Sequence, residues 1–281
     1  MEFNLDSYQP IDYRKWILGE ESRQGINLRR LNFFRGREEE FFEESEPYHD
    51  RRNDAGHVEI SLFLSIPISK DPSIKANRKV FGPAIEFHDN GYEGFVSPNQ
   101  FREAILTKEG EQRVRLMHQV TVIKRAYQIL TSLGYPSEYN AEILAALSDH
   151  DTRFSEPISD NEKVLQDADI AWRFTIPCTI AYKYPQFKTP ANLRELVPRI
   201  LSFQVPNPLR DFLESPEEIL RYMQQDELAR PSRFHIPASY GVARVELTNT
   251  FFNLFPDKAK KLLRKDFPRE LERIVASYKS H

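Results

Sequence analysis

Between residues 53 and 175 the apolar positions recur at helical spacing and are punctuated by prolines, glycines and capping residues. His57-Val58-Glu59-Ile60-Ser61-Leu62-Phe63-Leu64 opens one predicted helix, which Pro67 ends. Ala76 to His88 forms the next, with Gly82-Pro83 read as a kink or restart. Ser97-Pro98-Asn99-Gln100 carries an N-cap serine, proline at N1 and glutamine at N3, the start of a helix through Leu106. A long helix is predicted from about Gln112 to Leu133. On it Leu116, Val120, Ile123, Tyr127 and Leu130 line one apolar face. Gly134 stops it as a C′ residue, and Pro136 prevents its resumption. Ser137 is expected to cap a helix through Ile143-Leu144-Ala145-Ala146-Leu147. Ser159-Asp160-Asn161-Glu162 is a capping box for a helix that runs to about Phe174.

The flanks read differently. Residues 1–52 alternate aromatics (Tyr13, Trp16, Phe33, Phe34, Phe41, Phe42) with the charge run Arg37-Glu38-Glu39-Glu40, as a helical arm packing its rings on the main body would. Residues 176–281 are punctuated by proline, with a capping box at Ser215-Pro216-Glu217-Glu218 and an amphipathic stretch from Asp257 to Ser277. No two-residue hairpin signal and no internal repeat occurs. The fold class is therefore all-α: a helical core over 53–175, an N-terminal arm over 1–52 and a C-terminal helical extension over 176–281.

Composition narrows the partners. The 281 residues are 40% hydrophobic and 29% charged, as in ordinary globular proteins. A net charge of −3 lacks the basic excess of a nucleic-acid binder, so no nucleic-acid polymer is expected. The longest apolar run, Ile60 to Ile68, is broken by Ser61, Ser65 and Pro67 and is too short for a membrane span. One cysteine, Cys178, excludes an intramolecular disulfide framework. With an acidic start and no apolar leader, the expectation is a cytoplasmic protein.

The chemistry lies in the histidines. His57, His88, His118 and His150 fall in or near successive predicted helices, at separations of 31, 30 and 32 residues. One helix plus one connection is the interval that returns side chains to one level of a bundle. Asp89 follows His88 directly, and Asp167-Ala168-Asp169 comes shortly after His150. Four imidazoles and two carboxylates suit divalent transition metals, with more donors than a single open-sited ion needs.

The order His57, His88-Asp89, His118, His150, Asp169 resembles the HD-domain superfamily of metal-dependent phosphohydrolases. Phe87-His88-Asp89-Asn90-Gly91-Tyr92 is similar to that family's His-Asp core, and Val164-Leu165-Gln166-Asp167-Ala168-Asp169 to its closing aspartate segment. The resemblance covers residues 53–175 and implies an HD-like helical bundle. It implies that His57, His88, Asp89 and Asp169 hold a first ion, with Asp89 bridging and His118 and His150 holding a second. The ions would be Mn, Fe, Co, Ni or Zn, and the substrate a small phosphate ester or nucleotide. Asp89 and Asp169 would act in catalysis, and Arg153, Lys163 and Arg173 are the cations available to hold phosphate oxygens.

Alternatives remain open at this level. His49 rivals His57 as first ligand, and Asp167 competes with Asp169. His150-Asp151 offers a second register, with His118 first and Asp169 last, which gives a mononuclear site. A di-iron oxygenase shares the same ligand order, and a catalytically inert HD-like regulatory protein would keep the helices alone. Residues 176–281 could cap the site, select substrate or form a homodimer interface. His235 and His281 are read as structural or solvated.

Overall fold

The computed structural model describes residues 34–49, 57–91, 108–151, 156–175, 178, 234–239, 241–243 and 245–246. Every element among them is helical. Helix α1 spans Glu38–Ser45 and continues into a 3₁₀ turn, Glu46–Tyr48. Then follow α2 (His57–Ile68), α3 (Arg78–Phe87), α4 (Lys108–Ser132), α5 (Ser137–Ser148) and α6 (Asp160–Ala171), the last running into a 3₁₀ turn, Trp172–Phe174. No strand occurs among the described residues. The expected helices over Ser97–Leu106, after Ser215 and over Asp257–Ser277 lie outside them, as does His281.

Local chemistry sets the boundaries. The Asn77 side chain caps α3 by accepting from the Lys79 amide at 3.1 Å. Gly82-Pro83 does not restart this helix, which runs unbroken from Arg78 to Phe87. Pro83 leaves the Lys79 carbonyl without its helical donor, and the Tyr135 hydroxyl donates to that oxygen at 2.7 Å instead. Gly134, at φ +61°, ends α4 in a Schellman turn: the Tyr135 amide donates to Leu130 O and the Gly134 amide to Thr131 O. Ser159 caps α6 by accepting from the Glu162 amide at 3.1 Å. Ser137, by contrast, is the first residue of α5. Pro136 holds the N-cap position without any side-chain bond.

The buried face of α4 is not the one the apolar spacing suggested. His118, Gln119, Val122, Ala126 and Ile129 point into the core, whereas Leu116, Val120 and Tyr127 lie exposed. A strict seven-residue repeat drifts by about 20° per heptad around an ordinary α-helix. The stripe therefore reaches the core only at Ile123 and Leu130.

One core joins all the helices. Ile60 and Leu64 of α2, Phe87 of α3, Leu147 of α5 and Leu165 of α6 share it with Phe41 of α1. Phe41 stands edge-on to Phe87 and Tyr135, with centroids 5.9 and 4.8 Å apart. Arg78 reaches across from α3 to Glu38 of α1 with bonds of 2.5 and 2.6 Å. A later segment also belongs to this core through Ile236, Ala238, Val242 and Ala243. Asp167 anchors it by accepting from the amides of His235 and Ile236, each at 2.9 Å, and from the Ser239 hydroxyl at 2.6 Å. Asp71 accepts from the Ala238 amide at 2.8 Å.

Candidate metal centre

The hairpin geometry brings the histidines to one level. Gly134 lies 16 residues after His118 (134 − 118) and 16 before His150 (150 − 134). Antiparallel α4 and α5 therefore carry the two rings equally far from their shared turn, and the ring centroids lie 5.3 Å apart. His57 begins α2 and His88 directly follows α3, so their connection turns between them in the same way, and those centroids lie 4.9 Å apart. His88 and His150 close the row at 5.8 Å. The four imidazoles thus run His57, His88, His150, His118.

At one end of the row, α6 supplies Asp169. His57 stands between two carboxylates, its Nδ1 3.2 Å from Asp89 Oδ2 and its Nε2 2.9 Å from Asp169 Oδ1. His88 Nε2 lies 3.6 Å from that same Asp169 oxygen. Ligand atoms of His57, His88 and Asp89 all fall within 4.8 Å of one another, so this His-His-Asp group could hold a metal ion. The side chains of His57, Asp89 and Asp169 keep 12%, 10% and 19% of their surface exposed, so the centre is largely buried, with Asp169 its most accessible group.

The tautomers suit ligation. His88 Nδ1–H donates to Ile85 O at 2.6 Å, and His150 Nδ1–H donates to Leu147 O at 2.8 Å. In both, a helix-terminal carbonyl three residues earlier fixes the ring and leaves Nε2 as the lone-pair nitrogen. His88 Nε2 is buried and makes no hydrogen bond to any described residue. An orphaned imidazole nitrogen costs free energy in a dry interior unless something binds it. Together with two carboxylates at its side, it fits a divalent ion of the imidazole-and-oxygen-seeking kind.

Electrostatics agree with a strongly anionic pocket. Burial alone would lower the His57 pKa, but its hydrogen bonds to Asp169 and then Asp89 raise it from 6.5 to about 10. Without metal the imidazolium is the cation between these carboxylates. Burial would raise Asp89 and Asp169; the hydrogen bond to His57 overrides it and holds both below the usual carboxylate range. At the far end, burial and then the neighbouring His150 lower His118 to about 3, and burial lowers His150 too, so both stay neutral.

From these shifts the metal-free protein is expected to lose stability both above and below about pH 6.5. The folded pKa of His57 is raised, so its contribution is complete below 6.5 and is lost as pH climbs toward about 10. Burial holds Glu86 well above 4.5, and this group also costs stability as pH rises. His49, His118 and His150 are lowered, so below 6.5 the unfolded chain takes up protons that these rings refuse. Below 3.8, Asp89 and Asp169 add to the loss. Urea midpoints of chelator-treated protein across pH should fall on both sides; a plateau extending to pH 9 contradicts the raised His57.

The remaining candidates separate cleanly. His49 sits outside the row, its Nε2 3.0 Å from both Ser45 Oγ and Glu86 O. Asp151 pairs with Arg115, whose Nη1 also donates to Asp151 O at 2.8 Å, while its charge still acts on the rings of His118 and His150. Asp167 is committed to the 235–239 segment. Lys163 pairs with Asp160 at 2.9 Å in the first turn of α6, two turns from Asp169. Arg173 is partly exposed immediately after Trp172, and Arg153 lies outside the described residues. His235 Nε2 lies 3.1 Å from Gln166 Oε1, away from the row.

Two supporting residues were not singled out from the sequence. Trp172 stacks on His57, with centroids 4.9 Å apart and planes at 24°. It follows Asp169 at i+3 on the same helical face, a spacing legible in the chain. Arg125 donates to Asn90 O at 2.7 Å while lying over the Tyr48 ring, and so clamps the turn that carries His88 and Asp89. Gly91 completes that turn against α4. A Cβ there would overlap Nδ1 and the carbonyl oxygen of His118 and stand 2.9 Å from Val122 Cγ2. Gly91→Ala should cost roughly 1–3 kcal/mol in urea unfolding; an unchanged midpoint would mean that α4 does not pack this closely.

No protein-family model, curated protein or solved structure matches the chain, so its functional reading is carried by the geometry of this centre.

Proposed function

We propose that the chain is an HD-type, metal-dependent phosphohydrolase acting on a small phosphate ester or nucleotide. The observation that carries this reading is the buried, orphaned His88 Nε2 beside His57, Asp89 and Asp169, four groups supplied by three helices. In this reading His57, His88, Asp89 and Asp169 hold one divalent ion, and His118 and His150 hold a second. Asp89, whose carboxylate feels His57, His88 and His118 together, would be the ligand available to both. A divalent ion at such a centre supplies a lowered pKa for bound water and polarisation of a phosphoryl oxygen.

The protein's own groups do the rest. Ile85 O and Leu147 O hold the rings of His88 and His150 in the ligating tautomer. Trp172 fixes the plane of His57. Asp169, the most open carboxylate of the set, accepts the proton of the attacking water at Oδ1 once His57 has given up its bond to that oxygen. Lys163 remains with Asp160, which leaves Arg153 and Arg173 of the cations named from the sequence to receive a phosphate oxygen.

The test is phosphate release from a panel of phosphomonoesters and nucleotides by protein supplied with Mn, Fe, Co, Ni or Zn. Wild type should show metal-dependent turnover that His88→Ala and Asp89→Ala lower by several orders of magnitude. Turnover unaffected by either substitution rejects the reading. Oxygen uptake by the iron-loaded protein, without phosphate release, replaces it with the di-iron oxygenase.

A further inference from the structure

The second helical hairpin carries the same three side-chain types as the first. His57 begins α2 and His88-Asp89 follows α3; His118 lies on α4 and His150-Asp151 comes just after α5. Each later histidine gives its Nδ1–H to the carbonyl three residues before it, Ile85 O or Leu147 O. Each stands beside the histidine of its own hairpin, with ring centroids 4.9 and 5.3 Å apart. The two sets differ in what the aspartate meets. Asp89 turns to His57, its Oδ2 3.2 Å from Nδ1. Asp151 meets Arg115, three residues before His118 on the same side of α4. Arg115 Nη1 donates to the Asp151 carboxylate and, at 2.8 Å, to Asp151 O.

We propose that Asp151 joins His118 and His150 as a ligand of the second ion, and that Arg115 is the cation this ion displaces from Asp151. The inference rests on the second ion of the phosphohydrolase reading and gives it a further carboxylate. Two imidazoles by themselves leave a divalent transition metal short of donors and of negative charge. Among the carboxylates, Asp151 acts on both rings more strongly than Asp89 or Asp169 does. The first set already has its ligand atoms within 4.8 Å of one another. Asp151 completes the second only by leaving Arg115. That exchange is accessible from solvent, since the side chains of Arg115 and Asp151 are 15% and 18% exposed and a released guanidinium has water to enter. Ion and guanidinium compete for one carboxylate, so Arg115 sets how tightly the second ion is held.

Equilibrium dialysis of the chelator-treated full chain against cobalt(II) tests the exchange. Wild type should take up two equivalents. Arg115→Met should tighten the second roughly tenfold, the worth of one charge-assisted hydrogen bond. Asp151→Asn, which keeps the shape of the side chain and should keep the wild-type circular dichroism, should weaken it by roughly tenfold or more. The first equivalent should be unchanged in both variants. The opposed signs carry the test, because an ion pair that merely ties α4 to the end of α5 would not tighten metal binding when broken from either side. The proposal is overturned by a second equivalent indifferent to Asp151→Asn, by one that weakens in Arg115→Met, or by a single equivalent in both wild type and Arg115→Met. In each of those cases the first ion, and with it the phosphohydrolase reading, still stands. No cobalt uptake at all rejects that reading itself, and this inference with it.

Discussion

Replacing His57 by alanine is expected to destabilise the metal-free protein by about 3–5 kcal/mol, because two largely buried carboxylates lose the cation they share. Asp89 and Asp169 come from the end of α3 and from α6, and His57 lies within hydrogen-bond distance of both. The substitution also removes the ring stacked on Trp172. The loss would appear as a lower urea midpoint in chelator-treated protein. Adding Asp169→Ala to His57→Ala should restore part of it, since the second change removes one stranded charge. If the two losses simply add, the imidazolium is not the shared counter-ion. Metal should rescue Asp169→Ala far less than wild type, because that variant lacks a proposed ligand.

The second large effect is expected at Asp167, two residues from Asp169 on the same helix but tied to a different part of the fold. Asp167→Ala leaves the buried amides of His235 and Ile236 and the Ser239 hydroxyl without their acceptor. Each buried donor left unmade costs about 1–3 kcal/mol, so a total near 3 kcal/mol or more is reasonable. Hydrogen exchange should show the 235–246 segment releasing from the core first, while the candidate centre keeps its ability to bind metal. Asp169→Ala should behave inversely, with a modest structural effect and metal lost. Equal phenotypes for the two aspartates would contradict the assignment.

That contrast shows what the sequence disclosed and what it did not. Residues two apart on a helix point about 200° away from each other. Periodicity alone says that Asp167 and Asp169 cannot serve one site, but not which of them faces the histidines. The choice depends on a segment 68 residues further on that claims Asp167. The histidine row was legible because its intervals are those of helical hairpins, and the all-α class because caps and stops are local. The partners of His49 and Asp151 could not be read from sequence, since Glu86 O and Arg115 reach them through contacts across the fold. The face of α4 was misread for a related reason. Its inward side is partly polar, carrying His118 and Gln119, and its outward side holds the large apolar residues Leu116, Met117, Val120 and Tyr127. An apolar stripe ordinarily implies burial in the core, and on α4 it meets the core only at Ile123 and Leu130.

The central claim is that His57, His88, Asp89 and Asp169 form a metal centre. Elemental analysis of the full chain, purified without chelator and then supplied with Mn, Fe, Co, Ni or Zn, tests it most directly. The account predicts one or two equivalents of a divalent transition metal per chain, lost in Asp89→Ala while the helical circular dichroism remains. A chain that takes up no metal, or one whose metal content is the same after Asp89→Ala, contradicts it.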